Sequence, residues 1–486
     1  MRAEDALFLY AETPAVPQQV GAVVLVEGGQ VELGALRAAI AERVDAIPEL
    51  RRRVLPARSR WSRPRWVVDP FIDVGNRIHE VPLSAPGEGP LDELVARFFA
   101  EPLDPACSPW EMLLVPGSPA TGLHTVVVKV HHALGDSFTL IGALGGLFDE
   151  ARGRLAERVP GGATSEEGRA ATKLARAGRV LNGLAGMLRA GRAPTAPIWP
   201  APPNGCPGPP LQVAERARSG PPASGPPASG ALTEKAEVEA TAGGPTRQFV
   251  HFSLPARTVT KVASQFGTSI PDLLLALLAD AISRRRAGTP GAGTPGANAG
   301  TTLRVMVPHS VRRLARRDLV PGAGARGSPA SNRTAGALLD LPVLPMTFTD
   351  RVTAVRELHA RCLRRGDPEA AAFVLRTMNL LPAVLQRRWA CSFYTGAWLG
   401  MIVSVFPGVR RPCRLLGEGI TAVYPVLALA KGTDLAMGAM TWGSSMSVSL
   451  LGSAPRAGDL ASLAKDIEQC FYDCSEIARA GPSEHR

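Results

Sequence analysis

Two adjacent histidines, His131 and His132, followed by Asp136, are the side chains of this chain best suited to moving a proton. An imidazole titrates near neutrality and is the usual general base for an alcohol. The pair sits in Val126-Val-Val-Lys-Val-His-His-Ala-Leu-Gly-Asp-Ser137, which reads as a strand running into a turn and a helix. Side chains alternate along a strand, so Val126, Val128, Val130 and His132 share one face and Val127, Lys129 and His131 the other. His132 thus ends an all-valine face, whereas His131 keeps company with a lysine. That parity opposes a shared metal ion, and no third ligand is evident, so no metal is expected. Gly135 is read as permitting a sharp turn and Asp136 as a helix N-cap. By itself His-x-x-x-Asp is met equally well by a strand-end histidine and a capping residue with no chemistry at all.

The elements around this stretch alternate. The spacing predicts strands over 20–26, 110–115 and 125–132 and helices over 31–44 and 91–99, with an apolar stripe of Leu140, Ile141, Leu144, Leu147 and Phe148 after the histidines. Residues 173–192 read as a basic amphipathic helix, suited either to a membrane surface or to packing on its own domain. From 193 to 246 Pro, Gly, Ala and Ser dominate, which reads as a disordered linker. Beyond it come strands near 248–252, 303–307, 337–344, 400–406, 422–429, 435–442 and 445–450, with helices over 270–286, 350–390 and 459–478. Trp398–Val405 is expected to be a buried strand. The fold class is α/β or α+β, with domains over 1–192 and 247–486 joined by the linker.

Composition removes several function classes. The chain has 486 residues and a net charge of +11 from 54 basic and 43 acidic side chains. Its arginines come in short scattered groups without aromatic interleaving, so no nucleic-acid partner is expected. Seven cysteines without paired spacing give no disulfide framework and no structural zinc. Acidic residues stand in the N-terminal segment where a signal peptide needs a basic one, and no apolar run reaches the ~18 residues of a membrane span. The expected localisation is intracellular, cytoplasmic or peripheral on a membrane. No Gly-x-Ser-x-Gly elbow is present, and Gly322-Ala-Gly-Ala-Arg-Gly327 lies in a low-complexity loop without the strand and helix that a dinucleotide site needs.

Several segments together carry a resemblance. His131-His-Ala-Leu-Gly-Asp-Ser137 resembles the H-H-x-x-x-D-G motif of the bifunctional wax ester synthase/diacylglycerol acyltransferases, within the CoA-dependent acyltransferase superfamily. Asp5–Gly21 is similar to the opening D-x-x-F-L-x-x-E-x-x-x-x-P-x-x-V-G. Pro102–Glu111, Val305–Arg312, Ser331-Asn-Arg333 with Leu341-Pro342, and Val403–Gly408 are similar to further segments in the same order. The wording H-H-A-L-G-D is closer to the plant-type branch. The chain departs from the pattern at Ser137 (a glycine in the motif), Pro271 (Asn), Val405 (Asn) and Ser108-Pro109-Trp110 (Pro-Leu-Trp).

The resemblance implies two chloramphenicol-acetyltransferase-like domains facing across a substrate tunnel. His132 would take the proton from a fatty alcohol or diacylglycerol as its oxygen attacks a long-chain acyl-CoA, a co-substrate rather than a cofactor. No other cofactor is implied. Asp136 would point away and pair with an arginine, with Arg312 the candidate, and His131 would support the ring. Ser137, Ser404 and Trp110 would meet substrate, with Ser404 stabilising the oxyanion. A membrane or lipid-droplet surface is an expected partner. The alternative is a catalytically impaired member that binds lipid or a partner protein.

Overall fold

In the computed structural model, residues 1–28, 31–83, 85, 87–117, 122–149, 178, 180–186, 247–287, 301–310, 332, 334–409, 413–453 and 459–480 are described. The first half runs α1 (Ala3–Ala11), β1 (Gln19–Glu27), α2 (Leu33–Val44), β2 (Arg52–Leu55), β3 (Arg65–Val68), β4 (Ile78–Glu80), α3 (Glu88–Ala100), β5 (Trp110–Val115), β6 (Leu123–His131) and α4 (Ser137–Gly145). The second half opens with β7 (Arg247–Pro255), α5 (Ala256–Gln265), α6 (Ile270–Ala287), β8 (Thr302–Ser310) and β9 (Thr334–Pro342). It continues through α7 (Phe348–Arg365), α8 (Asp367–Met378), α9 (Ala383–Phe393), α10 (Gly396–Leu399) and β10 (Met401–Val409). It closes with β11 (Arg414–Leu415), β12 (Glu418–Val426), β13 (Leu435–Trp442), β14 (Ser445–Ser453) and α11 (Leu460–Ala480).

Two six-stranded sheets organise these elements. One has the order β11-β12-β1-β6-β5-β4, the other β7-β14-β13-β10-β8-β9. In the first, β6 lies between β1 and β5 and is antiparallel to both, with Val130 opposite Val20 and Trp110. Its valines alternate between two apolar layers: Val126, Val128 and Val130 on one side, Val127 on the other. Each such buried side chain contributes about 1.5–3 kcal/mol, so a one-residue slip of register is strongly opposed.

The strand order does not follow a division of the chain at residue 247. β12, from the second half, pairs antiparallel with β1, from Gly21 opposite Val426 to Glu27 opposite Gly419. The strands that flank the β11–β12 pair in the chain, β10 and β13, pair with each other in the second sheet. The expected single strand Trp398–Val405 is also divided. At Gly400 the backbone has φ +64, and an added Cβ would lie 2.2 Å from the Arg304 carbonyl oxygen. The chain therefore turns there, leaving α10 before it and β10 after it.

In the second half α6 is buried through Ser283. Arg351 of α7 is sealed against Asp280 at 3.0 Å and donates to the carbonyls of Pro342 and Leu344. Among the described residues no single helix is long and apolar enough to cross a membrane. The linker expected at 193–246, most of the basic helix expected at 173–192, and Arg312 lie outside the described residues. Within that helix, residues 181–186 are helical. An added Cβ at Gly183 would lie 2.5 Å from the Gly366 carbonyl oxygen, so this face packs on the start of α8.

Candidate active site

β6 ends at His131, and residues 132–134 form one turn of 3₁₀ helix before α4. Gly135 connects the two in an extended conformation, with φ 169. Its lack of a side chain serves space rather than turning, since a Cβ would lie 2.6 Å from Thr139 Cγ2. Asp136 caps α4: its Oδ1 accepts from the Thr139 backbone N–H at 3.0 Å and from the Thr139 hydroxyl at 2.8 Å. The carboxylate is fully buried and does not line the cavity described below. Ser137 begins α4, and Arg312, expected to pair with Asp136, lies outside the described residues.

The two histidines face different surroundings, as strand parity requires. His131 is buried; its Nδ1 accepts from the Ala133 N–H at 3.0 Å and its Nε2 lies 3.2 Å from Glu12 Oε2. Because Nδ1 accepts, the ring proton is on Nε2, facing the carboxylate. Lys129, on the same face, is not solvated. Its ammonium sits beneath α3, donating to the Phe98 carbonyl at 3.0 Å and pairing with Glu111 at 3.1 Å.

His132 lines a cavity of about 470 Å³ whose walls come from both sheets. Val126, Val128 and Val130, with Leu140, Ile141 and Leu144 of α4 and Leu147 and Phe148 of the turn after it, form one side. Met306, Pro308, Ile402, Ser404 and Phe406 form the other, and Trp389, Phe393 and Tyr394 close part of the periphery. Besides indoles, the polar side chains on the lining are Glu4, His132, Asn332, Tyr394 and Ser404. The His132 ring stacks on Phe8, with centroids 3.9 Å apart and planes 7° apart. Its Nδ1 is buried and, among the described residues, has no hydrogen-bond partner. Desolvation pushes its pKa down to about 4, although the carbonyls of His132 itself and Gly135 and the Asp136 charge pull the other way.

Backbone and side-chain bonds from elsewhere fix this turn. The His132 N–H donates to the Gln18 carbonyl at 2.8 Å. Asn332 Nδ2 donates to the His132 carbonyl at 3.1 Å and to Asp5 Oδ1 at 3.0 Å. Two acceptors around one amide nitrogen settle which end of Asn332 is which, and its Oδ1 is left buried without a partner among the described residues. Burial raises the Asp5 pKa, partly offset by the bonds from Asn332.

Of the residues expected to meet substrate, Ser404 lies on the cavity wall in β10. Trp110 does not. It is fully buried in the core and its indole N–H donates to the Leu50 carbonyl at 3.0 Å. An aromatic at a strand start reads alike whether it fills a core or lines a pocket, and here it sits in the apolar cluster with Leu50, Ile78 and Met112. Sequence reasoning missed Glu12, Asn332 and Phe8. All three lie in segments that carried the family pattern, the first in Asp5–Gly21 and the second in Ser331-Asn-Arg333. Pro271 and Asp272 stand away from the cavity. Ser269 caps α6, its hydroxyl accepting from the Asp272 N–H and donating to the Asp272 carboxylate, which lies 2.5 Å from His359 Nδ1; the Nε2 of His359 meets His309 Nε2 at 3.1 Å.

The family description "Wax ester synthase/diacylglycerol acyltransferase catalytic domain" matches residues 1–274, and "WS/DGAT C-terminal domain" matches residues 330–474. The chain belongs to the wax ester synthase/diacylglycerol acyltransferase family. Among its relatives is "Probable diacyglycerol O-acyltransferase tgs1" of Mycobacterium tuberculosis, 25% identical over 488 residues, covering 98% of this chain and 95% of that one. The wax ester synthase/diacylglycerol acyltransferase of Marinobacter aquaeolei VT8 shares the fold, with TM-score 0.57 and 16% identity over 98% of each chain. So does the first condensation domain of the CDA synthetase, with TM-score 0.60 and 17% identity over 99% of this chain and 96% of that one. The protein is an O-acyltransferase of the class that makes wax esters and triacylglycerols, built on the two-domain fold these structures share.

Proposed function

We propose that the protein transfers a long-chain acyl group from acyl-CoA to a fatty alcohol or a diacylglycerol, with His132 as general base. The observation that carries this reading is the place of His132: a ring held at a strand end, on an apolar cavity shared by both sheets. With its pKa near 4 the imidazole is unprotonated at neutral pH and ready to accept. Its Nδ1 is buried, so in this reading Nε2 is the nitrogen that takes the proton of the alcohol.

As that proton moves to Nε2, the alcohol oxygen bonds to the thioester carbon and the carbonyl becomes an oxyanion. The Ser404 hydroxyl, on the facing wall, donates to that oxyanion. When the intermediate collapses, the C–S bond breaks and the CoA thiolate takes the proton from the imidazolium. No covalent acyl-enzyme forms and the chemistry calls for no further cofactor. Asp136 and Arg312 pair to brace the turn, His131 supports it through Glu12, and the Ser137 side chain meets substrate at the start of α4. Since the acceptors are insoluble in water, the protein works peripherally at a membrane or lipid-droplet surface inside the cell.

The test is to offer purified protein labelled palmitoyl-CoA with hexadecanol or diacylglycerol and identify the ester formed. His132→Ala is expected to lower kcat by about 10²–10⁴-fold without moving the melting temperature downward. Undiminished turnover in that variant rules His132 out as the base.

A further inference from the structure

The helix pair α8–α9 walls the cavity with one side and meets water with the other. Ala371, Val374, Leu375 and Trp389 line the cavity. At the turn between the helices Leu380 is 84% exposed, and Leu381 and Leu385 are exposed beside it. Trp61, from the loop between β2 and β3, joins them: its carbonyl accepts from the Ala383 N–H at 3.3 Å, and its side chain is 58% exposed. Arg63 of the same loop donates to Asn379 at 2.7 Å. Two segments far apart in sequence thus make one projecting apolar tip.

The two segments that build the tip are basic, with Arg51 at the edge of the first paired to Asp45. Residues 50–68 carry seven arginines and no carboxylate, and residues 370–399 carry three arginines and no carboxylate. Arg60 lies over the Trp61 ring at 5.2 Å, and Arg387 and Arg388 are exposed on α9. The acidic side chain bonded here, Glu4, is buried beneath Asn379. Exposed leucines ringed by guanidinium groups match a boundary that is hydrocarbon inside and phosphate outside. A nucleic acid offers no hydrocarbon for those leucines. The tip is also continuous with the site: Leu385, Trp389 and Phe393 follow one face of α9 at four-residue spacing, and the last two line the cavity.

We propose that the α8–α9 turn, with Trp61, is the face on which this protein seats on an anionic phospholipid surface. The leucines and the indole enter the acyl-chain boundary and the arginines meet lipid phosphates. The α9 stripe then offers a water-insoluble acceptor an unbroken apolar path to His132. This deepens the acyl-transfer reading and rests on it.

The full chain is sedimented with vesicles of phosphatidylcholine and with equimolar phosphatidylcholine/phosphatidylglycerol, alongside L380D/L381D and R387E/R388E variants whose melting temperatures match the parent. The parent is expected to bind the anionic vesicles, less so as salt rises. R387E/R388E is expected to lose at least about thirtyfold in partition, the loss that two basic contacts at a membrane surface represent, and L380D/L381D is expected to lose binding to both the neutral and the anionic vesicles. Turnover of octanoyl-CoA with butanol is expected to stay at the parent's rate, while turnover of vesicle-borne acceptor falls. Three results overturn the proposal: a parent that ignores anionic vesicles, variants that bind as the parent does, or a raised KM for octanoyl-CoA in R387E/R388E with vesicle binding intact, which assigns those arginines to CoA phosphates. A parent that binds vesicles yet turns over no acyl donor sinks the acyl-transfer reading and leaves the docking result readable by itself.

Discussion

An imidazole set in hydrocarbon differs from one in water chiefly in when it takes a proton. For His132 burial favours the uncharged ring, so the acid limb of log kcat/KM is expected near pH 4 instead of near 6.5. The same depression bears on stability. Below about pH 6.5 the unfolded chain protonates this imidazole while the folded chain does not. The unfolded state then binds more protons, so stability is expected to fall as pH drops from about 6.5 to 4. His309, pushed down to about 4 by burial and by His359, acts in the same direction. Thermal melts across that interval check the sign, and melts that are flat or rise toward acid contradict it. Asp136→Ala removes an N-cap, at a cost of about 1 kcal/mol, and frees the turn that carries His132. Both melting temperature and kcat are expected to decline, and an unchanged melt argues against its bracing role. At this scale the sequence was informative where periodicity spoke: the run of alternating valines separated His132 from His131. Trp110 misled because alternation names a face, not how deeply that face is covered. Asn332 and Glu12 went unremarked because each acts across more than 100 residues, a separation no local pattern encodes.

Elements position these side chains through buried polar bonds as well as apolar layers. The clearest in the second half is the α6–α7 contact, where Arg351 bonds Asp280 and the carbonyls of Pro342, which ends β9, and Leu344 beyond it. Arg351→Met leaves Asp280 with Arg284, at 2.8 Å, as its remaining cation. The expected cost is about 3 kcal/mol, the low end for breaking a buried pair, read by urea unfolding. A loss near zero shows that the pair is replaceable by packing. Most elements are legible in the spacing, from the strand over 20–26 to the final helix. The short strands β4 and β11 escaped notice because three or two residues carry no period. The strand expected from Trp398 begins only at Met401, because hydropathy does not report the backbone reversal at Gly400. The basic helix begun at Lys173 had two readings in sequence, and its Gly183 contact with the start of α8 favours packing for that part.

For the whole molecule the sequence suggested two contiguous halves, and the sheets show an exchange instead. β12 extends the first sheet while β10 and β13, on either side of it in the chain, build the second. Composition marks a linker but not a strand that crosses back, since β12 is as apolar in one sheet as it is in the other. Residues 1–246 expressed alone are therefore expected to be insoluble, with the bonding edge of β1 left open. Co-expression with 247–486 is expected to restore a soluble complex, and a soluble, monomeric 1–246 fragment contradicts this. The crossing also governs traffic. The two sheets are stitched together by β12, which pairs with β1 in the first and packs on β13 and β14 of the second, so swinging them apart like a clam strips that packing and strains the chain that crosses between them. A waxy ester with two long tails must leave lengthwise, as a thread drawn from a needle. Release should then slow with each added methylene, and the pace of turnover would be set by the exit rather than by the chemistry.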